Sequence, residues 1–563
     1  MKKDELIAIQ KQERIDCGLA IVNSTAQKKI IVAGAGTGKT YTFGEVLKAN
    51  GTNNNLAMTF INMLAKDMEK SFGNIAEVKT FHAYCKRILH AQNGQVNLIP
   101  YLTKIIEEDA NALGLPLSDF NEKFQLLDES SAEIEFYLKR GDYYDAVSFD
   151  DSVYRLFKLL QNKPDVLPKF EQIVIDEFQD FNPLEVAFIK ELEQKGNILI
   201  VGDDDQAVYD RRNASPVHLR ELCDSGKYEV FELPYCSRCT QVVVDATNAI
   251  IERAEKDGHL VGRRTKRYEC YIPTKDADST KYPKIIAAKT KVGKGVAKYV
   301  DSVIGSVSPE EIAESWVEGE EYPTILIVGS KQYLNLVYKE LSGKYPQMAI
   351  RTSQDIGYST IDGYDLLLND AASNLGWRIL AALLIDAKTL RVVIEKSQDG
   401  TLIRDLLEKD FVQKQERVLE FIRTLAESPE VDNAVEAEIR LILDEQYDGI
   451  LENYIPDIEE EVVEPDKTQP SILLTSFVGC KGLSAGKVVI VGANNGSFPR
   501  DPNNIKDVEI AQLVVALTRT RKECHIITNE WLIAPKIKDV WQPRYSQSIF
   551  FSWIPKDFFT FVG

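Results

Sequence analysis

At 563 residues the chain is too long for one hydrophobic core and is expected to hold several domains of ordinary size. A composition of 44% hydrophobic, 27% charged and 9% aromatic residues excludes a disordered tail, a collagen-like rod and a small disulfide-stapled scaffold. The formal net charge of −19 argues against nucleic-acid binding on composition alone, so any such contact has to come from local basic groups.

The opening residues, MKKDELIAIQKQER, carry two lysines with no apolar stretch behind them, so no secretory signal is expected. The longest apolar runs, such as Ile379 to Ile385, fall far short of a membrane helix. Eight scattered cysteines fit a reducing, cytoplasmic setting better than a disulfide framework.

Short hydrophobic runs then recur along the chain: KIIVAG (29–34), LAMTF (56–60), QIVIDE (172–177) and NILIVGD (197–203). The series resumes with TILIVGS (324–330), SILLTSF (471–477), KVVIVGA (487–493) and CHIITN (524–529). Nearly continuous Ile, Val and Leu predict strands buried on both faces of parallel sheets, and the helical patterns between them predict crossovers. The expected fold is α/β, with two parallel-sheet cores that each carry a largely helical insertion, at 91–164 and 351–464. The second insertion closes in the acidic run DIEEEVVEPD (457–466), which reads as a solvated linker face.

The first strand runs into IIVAGAGTGKTYTF (30–43), a glycine loop that opens a helix. Ala33, Gly34, Ala35, Gly36, Thr37 and Gly38 would curl their N–H groups around a β-phosphate at the helix N-terminus. Lys39 would reach the β- and γ-phosphates, and the Thr40 hydroxyl would be a ligand to Mg²⁺. In QIVIDEFQD, Asp176 closes a buried strand where it could hold the same ion, and Glu177 could polarise an attacking water. In VGDDDQAVYDRR (201–212), Gln206 is placed to sense the γ-phosphate. ATP and Mg²⁺ are the expected cofactors.

These motifs, with those that follow them, resemble the UvrD/Rep/PcrA group of superfamily 1 helicases over nearly the whole chain and in motif order. Thr59, Phe60 and Asn62 in MTFINMLAKDM, and Thr80, Phe81 and His82 in KTFHAYC, match elements that line the single-strand path. SFDD (148–151) matches a short signature ahead of the acidic strand. FELPYCSRCTQVVVDATNAII (231–251) resembles the element that supplies one arginine, here Arg238. TSFVGCKGL (475–483) with VVIVGANNGSFP (488–499), and EIAQLVVALTRTRKE (509–523), resemble the last two elements, the latter with its arginine at Arg519.

The resemblance implies two RecA-like P-loop cores. The first would span 1–90 and 165–270 around the insertion 91–164. The second would span 271–350 and 465–563 around the insertion 351–464. It also implies that Arg238 and Arg519 neutralise charge on the transferring phosphoryl group. Single-stranded DNA would be gripped by Thr59, Phe60, Asn62, Thr80, His82, Tyr209, Arg211, Arg212 and Thr475, with aromatic stacking in place of base readout.

Several positions depart from the family pattern. Arg211 stands where a stacking tryptophan is usual; a guanidinium plane can also stack on a base. Tyr41 and Ser237 stand where an arginine and a tyrosine usually sandwich the adenine, so Tyr41 is the expected base platform, with Gln12 (or Gln10) reading the base edge. Lys481-Gly482-Leu483 is followed by Ser484 instead of glutamate, with Phe477 at the usual histidine. Cys236 and Cys239 flank Arg238 in a C-x-x-C that invites a zinc reading; the irregular spacing of Cys223 and Cys270 speaks against it.

The implied activity is ATP-dependent translocation, 3′ to 5′, on single-stranded DNA with unwinding of duplex. An alternative is a DNA-stimulated ATPase subunit working beside a nuclease in repair or phage defence, as the helicase-like subunit of Gabija systems does. RNA as the nucleic acid stays open. The charge has a location: 351–464 holds 11 Lys+Arg against 26 Asp+Glu, a balance of −15, which leaves −4 for the rest. That segment is expected to meet a protein partner or a basic face of its own chain, not DNA.

Overall fold

The computed structural model describes residues 3–562 except 95, 117–118, 320, 352–356, 428–432, 444–445, 455–465 and 539. Nearly all of the acidic run 457–466 therefore lies outside the described residues. The chain divides into two units: 1–81, 167–353 and 465–563 form one, and 82–166 with 354–464 form the other.

The first unit contains two parallel sheets. One is built from β1 (Lys28–Ala33), β2 (Asn55–Thr59), β3 (Glu77–Thr80), β4 (Gln172–Ile175), β5 (Asn197–Gly202) and β6 (Glu229–Leu233). Their order is β3-β2-β4-β5-β1-β6. A two-stranded ribbon follows, β7 (Tyr235–Cys236) with β8 (Glu269–Cys270). The other sheet uses β9 (Ile285–Val292), β10 (Ile325–Val328), β11 (Met348–Arg351), β12 (Ile472–Thr475), β13 (Ala485–Val491) and β14 (Thr520–Trp531). A short hairpin, β15 (Lys536–Ile537) with β16 (Val540–Trp541), precedes its last strand, β17 (Phe559–Val562). The order of this sheet is β11-β12-β10-β13-β14-β9-β17.

β1, β4 and β5 are almost wholly buried, as their unbroken Ile/Val/Leu runs require when helices cover both faces. β1 pairs with β5 and β6, and β5 with β4. The carboxyl ends of β1, β4 and β5 therefore open side by side, which is where ligands bind in parallel sheets. The loops after these three strands carry the glycine loop, the Asp176–Glu177 pair and Gln206.

The second unit is helical. Its centre is Asp109 on the helix Leu102–Ala112, fully buried between two arginines. Arg140 donates through Nε at 2.9 Å, and Arg378, from the helix Asn374–Leu384, donates through Nε at 2.8 Å. Tyr144 adds its hydroxyl at 2.5 Å. Arg378 belongs to the acidic segment, so the basic group in this contact comes from that segment and the acid from its helical neighbour. The expected basic face meeting the acidic segment is, at this buried point, the reverse.

Candidate nucleotide site and nucleic-acid motifs

β1 ends at Ala33, and the helix Lys39–Ala49 begins six residues later with Gly38 as its cap, in the left-handed region at φ 95°. No side chain caps this helix, so its first-turn N–H groups are left for an outside acceptor. Gly36 also has positive φ, at 69°, and a Cβ there would sit 2.5 Å from Arg238 Cβ and 3.1 Å from Cys236 Sγ. At Gly34 a Cβ would strike the Tyr268 ring at 2.5 Å. The glycines are thus demanded by backbone shape and by the elements packed on the loop.

Lys39 crosses the loop to lie 3.5 Å from Ala33 O and 3.9 Å from Glu177 Oε1. Thr40 is exposed at the head of the helix. Asp176 and Glu177 are both buried, and Glu177 takes the left-handed conformation at φ 55°, a strained backbone for this residue type. Its amide donates to Asp176 Oδ1 at 2.9 Å. Burial, and then the adjacent Glu177 charge, push the Asp176 carboxyl up. Burial would also raise Glu177, but the charges of Lys39 and Lys481 outweigh it and hold that carboxyl well below the usual range. This pair keeps its negative charge on Glu177.

From Glu177 a line of hydrogen bonds leads to the second sheet. Gln179 Nε2 donates to Glu177 Oε2 at 2.6 Å, and its Oε1 accepts from Asp203 N at 2.9 Å. Gln206 Nε2 donates to Asp203 Oδ2. Arg519, at the start of β14, donates to Gln206 Oε1 at 3.0 Å. Lys481, on the loop between β12 and β13, donates to Gln206 O at 2.8 Å and to Asp180, and lies 3.5 Å from Glu177 Oε2. Both groups are buried. Arg238 donates to Thr518 O at 3.4 Å, which brings the second arginine to the same corner.

Other positions are committed elsewhere. Ser237 does not present itself as a base platform: its N and Oγ both donate to Gly36 O, at 2.9 and 3.2 Å. Tyr41 is 72% exposed. Gln12 is exposed and donates to Asp16 on its own helix at 2.9 Å. Gln10 is buried, donating to Cys270 O and accepting from Ile272 N. Both amides that were candidates for the base edge are engaged within the protein.

Among the expected nucleic-acid residues, Phe60 sits in an aromatic group with Phe181 and Tyr209, at centroid distances of 6.0 and 5.9 Å. Arg212 lies over its ring at 4.2 Å and bridges to Glu185 at 3.3 Å. Arg211 is exposed and Thr80 half-buried. Thr59 and Thr475 end β2 and β12 with side chains closed off from solvent, so neither hydroxyl faces outward in this arrangement. Phe81 is core, packed edge-on against Phe181 and Phe188. Asn62 opens the helix Asn62–Phe72, its side chain outside the described residues. His82 belongs to the helical unit and packs on Phe149 at 5.1 Å. The SFDD signature has a local task there: Asp151 accepts from Ser148 N, capping the helix Phe149–Asn162.

Several participants carried no signal in the sequence. Tyr268 closes over Gly34 and donates to Ala35 O at 3.1 Å. Arg14, on the first helix, would be 3.4 Å from a Cβ on Gly38, and its guanidinium lies 4.4 Å over the Tyr271 ring. Lys266 ties Asp203 and Asp205 at 2.6 and 2.5 Å, and Arg263 also holds Asp205. The three consecutive aspartates before Gln206 are therefore neutralised by basic side chains and fixed in place. Among the described residues, no cluster of three metal-ligating atoms includes a cysteine, which leaves the zinc reading of Cys236 and Cys239 without a third ligand.

A family model described as an AAA domain matches residues 19–212, which span the glycine loop, the acidic pair and Gln206. The chain is 24% identical to the ATP-dependent DNA helicase PcrA of Staphylococcus aureus, over 90% of this chain and 82% of that protein. It is 25% identical to DNA helicase II of Haemophilus influenzae over 45% of this chain and 43% of the relative. With PcrA of Leuconostoc citreum it shares 28% over 41% of this chain and 38% of the relative.

Proposed function

We propose that this chain, a UvrD/Rep/PcrA-like protein of helicase superfamily 1, is an ATP-dependent DNA helicase that couples ATP hydrolysis to movement along single-stranded DNA. The observation that carries the reading is the line from Glu177 through Gln179, Asp203 and Gln206 to Arg519, closed by Lys481 on Glu177. It ties the hydrolytic corner of one sheet to loops of the other.

The loop N–H groups and Lys39 bind the phosphates of ATP. Tyr41, exposed beside the loop, supplies a platform for the base. Thr40 and Asp176 are the residues that would hold Mg²⁺; the fit rests on a buried carboxyl crowded by a second one, a donor set that favours a cation. When bound, that ion draws charge from the β- and γ-phosphoryl oxygens. Glu177, kept ionised by Lys39 and Lys481 and oriented by Gln179, aligns the attacking water. Arg238 and Arg519 neutralise charge on the transferring group.

Gln206 and Arg519 touch each other as well as this corner, so γ-phosphate gained or lost alters contacts between the sheets. Closure and opening of the cleft follow, and the DNA advances 3′ to 5′ by one step per cycle. Phe60 with Arg212, Tyr209 and the exposed Arg211 grip the strand by stacking and phosphate contact.

Steady-state ATP hydrolysis with and without single-stranded DNA tests the reading, with Glu177→Gln as control. Hydrolysis stimulated by DNA and abolished in the variant is expected. A purified protein that hydrolyses no ATP in either condition would overturn it.

A further inference from the structure

The C-x-x-C around Arg238 has no part in the reading above. β7 ends at Cys236, Ser237 and Arg238 form the turn, and Cys239 stands just before Thr240, which caps the helix Gln241–Lys256. Cys239 N donates to Cys236 Sγ at 3.3 Å, and the Cys239 thiol donates to Thr518 O at 3.4 Å. Both are completely buried. Cys270, on the neighbouring strand, turns its sulfur to Cys239 O at 3.5 Å.

We propose that Cys236 and Cys239 are a dithiol that a peroxide converts to a disulfide, and that this bond withdraws Arg238 from the nucleotide. A turn whose fourth N–H meets the first sulfur brings the two side chains within disulfide reach; closing S–S to about 2.05 Å with its fixed dihedral then reshapes the two residues between them. Those residues are the ones on the glycine loop. Ser237 donates twice to Gly36 O, and Arg238 Cβ lies 2.5 Å from where a Cβ on Gly36 would be.

Of the two sulfurs, Cys236 is the one that attacks. Burial would raise the Cys236 thiol, but hydrogen bonding to its sulfur, the Cys239 amide included, outweighs it and brings the thiol down. Cys239 is raised by burial and by Cys236, so one sulfur attacks while the other keeps its proton. The Cys236 thiolate takes one oxygen of hydrogen peroxide, breaking the O–O bond and giving a sulfenic acid and hydroxide. The Cys239 sulfur then displaces that oxygen as water and forms the S–S bond. Two thiols lose two protons and two electrons, and the peroxide leaves as two waters.

The effect on turnover rests on the ATPase reading; formation of the bond does not. The experiment treats the full-length protein with hydrogen peroxide, alkylates the remaining thiols, maps peptides by mass and measures ATP hydrolysis before treatment, after it, and after dithiothreitol. A Cys236–Cys239 bridge is expected, with turnover reduced at least about tenfold, the scale of a misplaced phosphate contact, and restored by the reductant. Cys239→Ala is expected to keep its own reduced rate through the same treatment. Both thiols still open to alkylation after peroxide, or a mapped bridge with undiminished turnover, would overturn the proposal. A reduced protein without ATPase activity would instead contradict the catalytic reading, and peptide mapping alone would then decide whether the dithiol forms.

Discussion

Lys481 Nζ lies 3.5 Å from Glu177 Oε2 and donates to Asp180, although the lysine belongs to a loop of the second sheet and both acids to the first. With burial close to complete, this amine is the main counter-charge for Asp180 and, after Lys39, a second one for Glu177, two carboxylates kept out of water. It also donates to Gln206 O, so one side chain holds Glu177 and Gln206 together.

Lys481→Met is therefore expected to lower the maximal ATPase rate by roughly 10², the cost of losing one fixed electrostatic group at a reacting centre. Affinity for ATP should change far less, because the loop and Lys39 are untouched. Lys481→Arg should recover part of the rate. Steady-state kinetics check this, with circular dichroism to confirm folding; a folded methionine variant within about twofold of the parent rate would remove Lys481 from the site.

Tyr41 and Ser237 separate by the same kind of reading. Tyr41 is open to a ligand, while Ser237 is bonded to Gly36 O. Tyr41→Ala is expected to weaken ATP binding about tenfold, the scale of one lost aromatic stack, and Ser237→Ala to weaken it less. Equilibrium titration with a fluorescent ATP analogue measures both. Equal small effects would place the base elsewhere, with Arg14 over Tyr271 the next surface to test.

In the helical unit, Asp109 balances Arg140 and Arg378 with no exposure to water. Asp109→Ala leaves two buried guanidinium groups without their partner, a loss of about 3–5 kcal/mol to that unit. Its thermal transition should fall by several degrees while ATP affinity holds. An unchanged transition would mean that the cluster does not fasten the acidic segment to its neighbour. The same contact means that removing 351–464 outright would strip Arg378 from Asp109, so point substitution is the cleaner probe of what that segment does.

The nucleotide corner was legible in the sequence because its demands are local. A glycine loop after a buried strand, an acid pair closing another and a glutamine after a third each follow from a few consecutive residues. The buried strands β1, β4, β5, β10, β12 and β13 read clearly for a related reason, since sheets covered on both faces need unbroken apolar runs. Edge strands β3, β6 and β11 are covered on fewer sides and carry Lys, Glu or Arg in their runs, which masks them. Tyr268, Arg14 and Lys266 were silent because their partners are set by tertiary contact, far away in the chain. The global charge of −19 misled for the opposite reason: it sums one acidic segment with a nearly neutral remainder.

The most direct measurement is strand separation with Mg-ATP on duplexes bearing a single-stranded tail at either the 3′ or the 5′ side, with Glu177→Gln in parallel. Unwinding from the 3′ tail, lost in the variant, is the expected result. Unwinding from the 5′ tail alone would reverse the direction of travel, and ATP hydrolysis without strand separation on either substrate would contradict the helicase itself.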